Sequence, residues 1–266
     1  MIESETLARL RRIGLNQDVL QQLARQASDD DALPWWRVTE VQREHVLLHD
    51  GAAAVAARIS PRLAAALREQ ADALAVGDWV RAGPDAYGDC WVHTRLPPLN
   101  QLARRLHDGR DKVERVVIVA NVDTAVLVMG LDHDFNLRRL ERYLALVRMA
   151  GVPALVVLTK ADLVADAAAR RDAVQARLPA GAVALAVDGQ DPATAVALAP
   201  WLEAGRTLVL LGSSGAGKST LTNTLCGAPL QRTGATRSGD DRGRHTTTAR
   251  SLHLAPGGAC LIDTPG

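Results

Sequence analysis

Residues 211–225 read LGSSGAGKSTLTNTL, and within them Gly212, Gly217, Lys218 and Ser219 satisfy the pattern G-x-x-x-x-G-K-[ST]. The context is the one that pattern requires: an apolar β-type run over 207–211 comes before it, and a helical pattern through Leu221 and Leu225 comes after. Such a stretch grips polyphosphate. Its glycines let successive backbone N–H groups wrap an anion, the helix start adds its dipole, Lys218 reaches the terminal phosphates and Ser219 offers a hydroxyl to Mg2+. The whole loop, Gly212, Ser213, Ser214, Gly215, Ala216, Gly217, Lys218, Ser219 and Thr220, is therefore expected to line a nucleotide site.

A second stretch, Leu158-Thr159-Lys160-Ala161-Asp162, closes another apolar run. In a loop of the form [NT]-K-x-D the aspartate accepts from the guanine N1–H and 2-amino groups, and the lysine stem packs on the base; adenine lacks both donors. Composition sharpens the match. The chain has three lysines against 28 arginines, and two of the three are Lys160 and Lys218, so lysine has been kept where a guanidinium would not fit. A third stretch, residues 261–266 (LIDTPG), is a strand running into D-x-x-G, which places Asp263 near a Mg2+ shell and Gly266 near a γ-phosphate. Between them lies GRHTTT at 243–248. There Thr247, or Thr246 as the alternative, is the expected switch ligand of Mg2+, and His245 is the candidate for orienting an attacking water. Lys218 and His245 are thus the candidate catalytic residues.

The parts of a GTPase are present in rotated order: base-reading loop, phosphate loop, switch, D-x-x-G. Circular permutation is tolerated where native termini lie close together, as they do in most compact domains. The elements that must position these loops follow a βαβ rhythm. Apolar strands are expected at 124–129, 153–159, 182–187 and 207–211, alternating with helices at about 137–150, 166–178 and 192–203, and two further strands at about 250–254 and 259–263. The fold class is α/β with a mainly parallel sheet, over a domain 116–266.

Upstream the texture differs. Strand patterns at 36–59, with Asp50-Gly51 as a tight turn, lead to a helix opened by Ser60-Pro61, and two more strands follow at 79–81 and 90–94. Three strands, a helix and two strands is the order of an OB-fold barrel, a scaffold that binds oligonucleotides. The division expected is a helical extension over 1–33, an OB-fold RNA-binding domain over 34–96, a linker over 97–115, and the GTPase domain, incomplete at its C-terminal end. Trp35 and Trp36 read as core or lid residues of the barrel. Asp132, His133 and Asp134, three adjacent polar residues after a strand, read as a surface turn rather than a metal site.

In 266 residues with 47% apolar and 23% charged there is enough apolar material for about two packed domains. The net charge of +1 excludes a globally basic nucleic-acid binder and leaves local patches. Two arginine-rich segments qualify, 95–115 and 232–250. Acids precede any apolar run at the N-terminus, the wrong order for a signal peptide, and no apolar stretch is long enough to span a bilayer, so a cytoplasmic monomer without membrane contact is expected. The three cysteines, Cys90, Cys226 and Cys260, are too far apart for a metal-ligand cluster, and no zinc site is expected within this chain.

The rotated order, the N-terminal OB-fold and the motifs GSSGAGKST, GRHTTT and DTPG together resemble the RsgA family, the circularly permuted GTPases of small ribosomal subunit biogenesis, over about residues 36–266. The resemblance implies GTP and GDP as ligands with Mg2+, hydrolysis of GTP stimulated by the small (30S) ribosomal subunit, contact with its rRNA, and release on hydrolysis. Zn2+ is implied only for a C-terminal domain that would follow Gly266. The chain departs from the family pattern at Thr159, where asparagine is usual, and at Ala186-Val187, where Ser-Ala is usual. The alternatives are a truncated, non-hydrolysing RNA- or nucleotide-binding module and a P-loop ATPase.

Overall fold

The computed structural model describes residues 4–26, 33–43, 45–107, 113–230 and 250–265. Five strands, β1 (Trp35–Val41), β2 (Val46–His49), β3 (Ala54–Ile59), β4 (Trp79–Pro84) and β5 (Cys90–Arg95), form the barrel expected over 34–96. Antiparallel β1–β2–β3, a parallel β3–β5 contact, antiparallel β5–β4 and a closing β4–β1 pair give the OB-type circuit. The helix after β3, α3 (Pro61–Glu69), starts as its sequence dictates: the Ser60 side chain accepts from Leu63 N–H, Pro61 takes the first turn, and Leu63 and Leu67 face the barrel core.

The second domain has strands β8 (Thr124–Gly130), β9 (Ala154–Thr159), β10 (Val183–Ala186) and β11 (Thr207–Leu211), and helices α4 (Leu137–Met149), α5 (Ala167–Gln175), α6 (Ala193–Leu198) and α7 (Lys218–Cys226). Strands β12 (Ser251–Leu254) and β13 (Cys260–Asp263) close it. The order β10-β9-β8-β11-β13-β12 is parallel except for β12, and apolar side chains pack on both faces of the sheet. Every element expected here is present, with boundaries moved by only a few residues.

The stretch 97–115 is not a linker. Strand β6 (Gln101–His107) pairs antiparallel with β7 (Val113–Ala120) as a separate two-stranded ribbon. Arginines interrupt the apolar pattern of β6, and in β7 the residues Val117, Ile118, Val119 and Ala120 are buried in succession, so neither strand shows a regular alternation. The ribbon is tied to the barrel by a Val76–Val119 bridge.

Two features join the domains. Strand β12 pairs with barrel strand β1 at Ser251 and Glu40, so barrel and second domain share one eleven-stranded sheet. In addition, α1 (Ser4–Arg12) and α2 (Gln17–Arg25) form a strap, with Leu10, Ile13, Val19 and Leu23 packed against Trp79 and Leu96 of the barrel side. The strap's Asn16 caps α2 and also donates to Asp123, whose other oxygen accepts from Thr207 N–H at the start of β11. Between strap, barrel and second domain lies Arg37, fully buried, donating to the carbonyls of Ile13 (2.7 Å), Gly77 (3.1 Å) and Asn121 (3.1 Å) and stacked on Trp79. Gly14, at φ +90°, leaves the room: a Cβ there would stand 2.1 Å from the Arg37 guanidinium.

Candidate functional site

The phosphate loop leaves β11, all of whose residues are buried, and enters α7. Gly212 lies so close to the neighbouring strand that a Cβ would come within 2.3 Å of the Val128 carbonyl oxygen, so only glycine lets the loop start there. Helix α7 begins after Gly217, in the left-handed region, with no side chain capping it. Its first N–H groups are left to an anion. Lys218 Nζ is folded back onto the loop, donating to the Gly212 and Ser213 carbonyls at 2.9 and 2.8 Å. Burial lowers the Lys218 pKa, and the carboxylates of Asp263 and Asp134 oppose that shift.

Asp263, at the end of β13, is buried beside it, and Ser219 Oγ donates to its Oδ2 at 3.4 Å. Burial pushes the Asp263 carboxyl up, against the pull of Lys218. Its Oδ1 is buried and has no hydrogen-bond partner among the described residues. A carboxylate oxygen left without a partner next to a serine hydroxyl is a donor set suited to a hard cation such as Mg2+.

The base-reading loop meets the phosphate loop directly. Thr159 Oγ1 donates to the Ala216 carbonyl at 2.6 Å, and Lys160 Nζ donates to the Gly215 carbonyl at 2.8 Å. Thr159 therefore spans to the phosphate loop with its one hydroxyl. The next residues, Ala161–Leu163, make a single 3-10 turn that leaves Asp162 exposed at the mouth of the site. At the Ala186-Val187 departure the backbone, independent of the side chains, contacts the base-reading loop. Val187 accepts from Ala161 N–H and donates to the Leu158 carbonyl, so its backbone shapes the base-reading loop.

Sequence reasoning missed two residues here. The turn after β8, read as a surface turn, contains Asp132, which accepts from Lys160 Nζ at 2.7 Å, and buried Asp134, which accepts from Ser213 Oγ at 2.6 Å. The available signal was their position at the C-terminal end of the strand that pairs with β11, since ligands bind at that edge of a parallel sheet. Thus Thr159, Lys160, Ala161, Asp162, residues 212–220 and Asp263 converge on one edge of the sheet. His245, Thr246, Thr247 and Gly266 lie outside the described residues.

In a comparison with protein-family models, residues 97–266 match the RsgA GTPase family. The chain belongs to that family. Among curated relatives, a small ribosomal subunit biogenesis GTPase RsgA of Xylella fastidiosa (strain M23) is 49% identical over 191 residues, 72% of this chain and 55% of the relative. The protein of the same description from Xanthomonas axonopodis pv. citri (strain 306) is 44% identical over 241 residues, 90% of this chain and 64% of the relative. The chain thus spans somewhat over half the length of the curated relatives it matches. Two solved structures share the fold. YjeQ from Thermotoga maritima superimposes with a TM-score of 0.62 at 21% identity, covering 87% of this chain and 74% of that one, and YloQ, a circularly permuted GTPase, with 0.57 at 20%, covering 90% and 74%.

Proposed function

We propose that this chain binds GTP and GDP and hydrolyses GTP in the maturation of the small ribosomal subunit, with the barrel held on rRNA. The observation that carries the reading is the direct bonding of the two loops, Thr159 to Ala216 and Lys160 to Gly215, which supports reading them as the base reader and the phosphate grip of one site. The relatives bear the description of small ribosomal subunit biogenesis GTPases, which supplies the partner.

In this reading Asp162 accepts from the guanine edge, the stem of Lys160 packs on the base, and N–H groups of residues 213–220 surround the phosphates. Lys218, whose two bonds to loop carbonyls are replaceable, turns its ammonium onto the β- and γ-phosphates. Ser219 and Asp263, with Thr247 or Thr246 as the expected switch ligand, would hold Mg2+, which would neutralise phosphate charge when bound. His245, as a neutral imidazole, accepts a proton from the attacking water.

Equilibrium competition tests the ligand: excess GDP displaces labelled GDP while ATP at equal concentration does not, and displacement by ATP overturns the guanine assignment. Turnover with and without purified small subunits tests the reaction. Stimulation is expected, and His245→Ala is expected to lower stimulated turnover about 100-fold with GDP affinity unchanged. Undiminished turnover in that variant assigns the water to another residue.

A further inference from the structure

We propose that the turn Asp132–Asp134 is a positioning bracket that holds the phosphate and base-reading loops in one register and so sets how long a guanine nucleotide stays bound. The inference rests on the nucleotide-binding reading above and adds residues to it. Neither carboxylate belongs to a nucleotide-binding motif; each acts through a residue that does.

Lys160 lies in the left-handed backbone region at φ +61°, a conformation that residues other than glycine keep only when their surroundings hold it. Its Nζ is held at two points, 2.7 Å from Asp132 Oδ2 and 2.8 Å from the Gly215 carbonyl. Of the two acceptors, Asp132 carries the charge. Burial pushes the Asp132 carboxyl up, but the hydrogen bonds from Lys160 and from Asp134 N–H outweigh it and keep the group below its ordinary range. Asp134 grips the other end of the phosphate loop. Its Oδ1 accepts from Ser213 Oγ and from Arg139, and its Oδ2 accepts from Gly130 N–H at 3.0 Å. The Asp134 N–H donates to Asp132 Oδ1 at 3.2 Å, which locks the two carboxylates together. The turn is anchored in turn by Leu131 N–H on the Thr159 carbonyl. One short segment thereby fixes Ser213 directly and Gly215 through Lys160, so loosening it frees both loops.

The test is the dissociation rate of fluorescent GDP, chased with excess GDP, together with the melting temperature of the nucleotide-free protein. Asp132→Ala is expected to speed dissociation about 10-fold, the scale of one charge-assisted hydrogen bond, with the nucleotide-free melting temperature unchanged. Asp132→Asn, which keeps an acceptor, is expected to restore slow dissociation. Adding Asp132→Ala to Lys160→Ala is expected to give no further acceleration, because the two residues act as one unit. Dissociation within twofold of the parent, or acceleration that persists in the Lys160→Ala background, overturns the bracket. So does a lower melting temperature with dissociation unchanged. Should Asp132→Ala fail to fold, Ser213→Ala reads the Asp134 arm by the same chase, and unchanged dissociation there overturns the bracket equally. Absence of fluorescent GDP binding by the parent overturns the nucleotide reading itself, and with it the bracket.

Discussion

Position 159 admits asparagine or threonine, and the two differ in reach: a carboxamide has a donor and an acceptor to place, a hydroxyl a single proton to give. The proton of Thr159 goes to the Ala216 carbonyl, a contact between two loops 57 residues apart in sequence. Thr159→Val keeps the shape and removes the donor, leaving a buried carbonyl unpaired at a cost of about 1–3 kcal/mol. GDP affinity measured by calorimetry should fall about 10-fold or more, while discrimination against ATP should persist if Asp162 reads the guanine edge as proposed. Equal affinity in this variant would mean that the loops keep their register without the bond. Residues of this kind divide by how they can be found. Lys218, Ser219, Asp162 and Asp263 are legible because their motifs fix backbone geometry over a few residues. Asp134 is not, because its partner Ser213 is 79 residues away and the contact exists only once β8 and β11 lie side by side.

At the scale of elements, the βαβ units were legible because buried parallel strands read as continuous apolar runs between amphipathic helices. The ribbon of β6 and β7 was not, since arginines interrupt the apolar pattern of β6 and the ribbon's apolar face is supplied with neighbours only by the rest of the fold. The turn leading into β4 carries a testable electrostatic signature. Asp78 is buried there, its Oδ2 accepting from Ala75 N–H at 2.9 Å and lying 3.6 Å from Arg95, its Oδ1 without a partner among the described residues. Burial raises its carboxyl from 3.8 to about 6, with Arg95 opposing. Between those values the folded protein holds a proton that the unfolded chain has lost. Its contribution to stability is therefore complete below about pH 4 and fades as pH rises through about 6, by roughly 1–3 kcal/mol. Asp78→Asn cannot titrate. Denaturant midpoints of parent and variant, compared from pH 4 to 7, should diverge as pH rises, with the variant gaining relative to the parent; a difference independent of pH would show that Asp78 stays ionised throughout.

The whole molecule behaves as one body if the junction holds it. Arg37 supplies three donors to carbonyls of three different segments, and a buried carbonyl left unpaired is expensive, so Arg37→Met should destabilise the protein by about 2–5 kcal/mol. Four of the five tryptophans, Trp35, Trp36, Trp79 and Trp91, lie in the barrel, so fluorescence follows the barrel while circular dichroism follows both domains. In the parent the two melting curves should coincide; in Arg37→Met they should separate, barrel first. Coincident curves in the variant would assign the coupling to the β1–β12 pairing instead. That pairing also bears on synthesis. Glu40 of β1 and its partner Ser251 are 211 residues apart, an interval of roughly 10–40 s at 5–20 residues per second of translation. Throughout that interval the nascent barrel offers the Glu40 end of β1 as an open edge, a place where another chain can pair, and the edge closes only when β12 arrives to cover it.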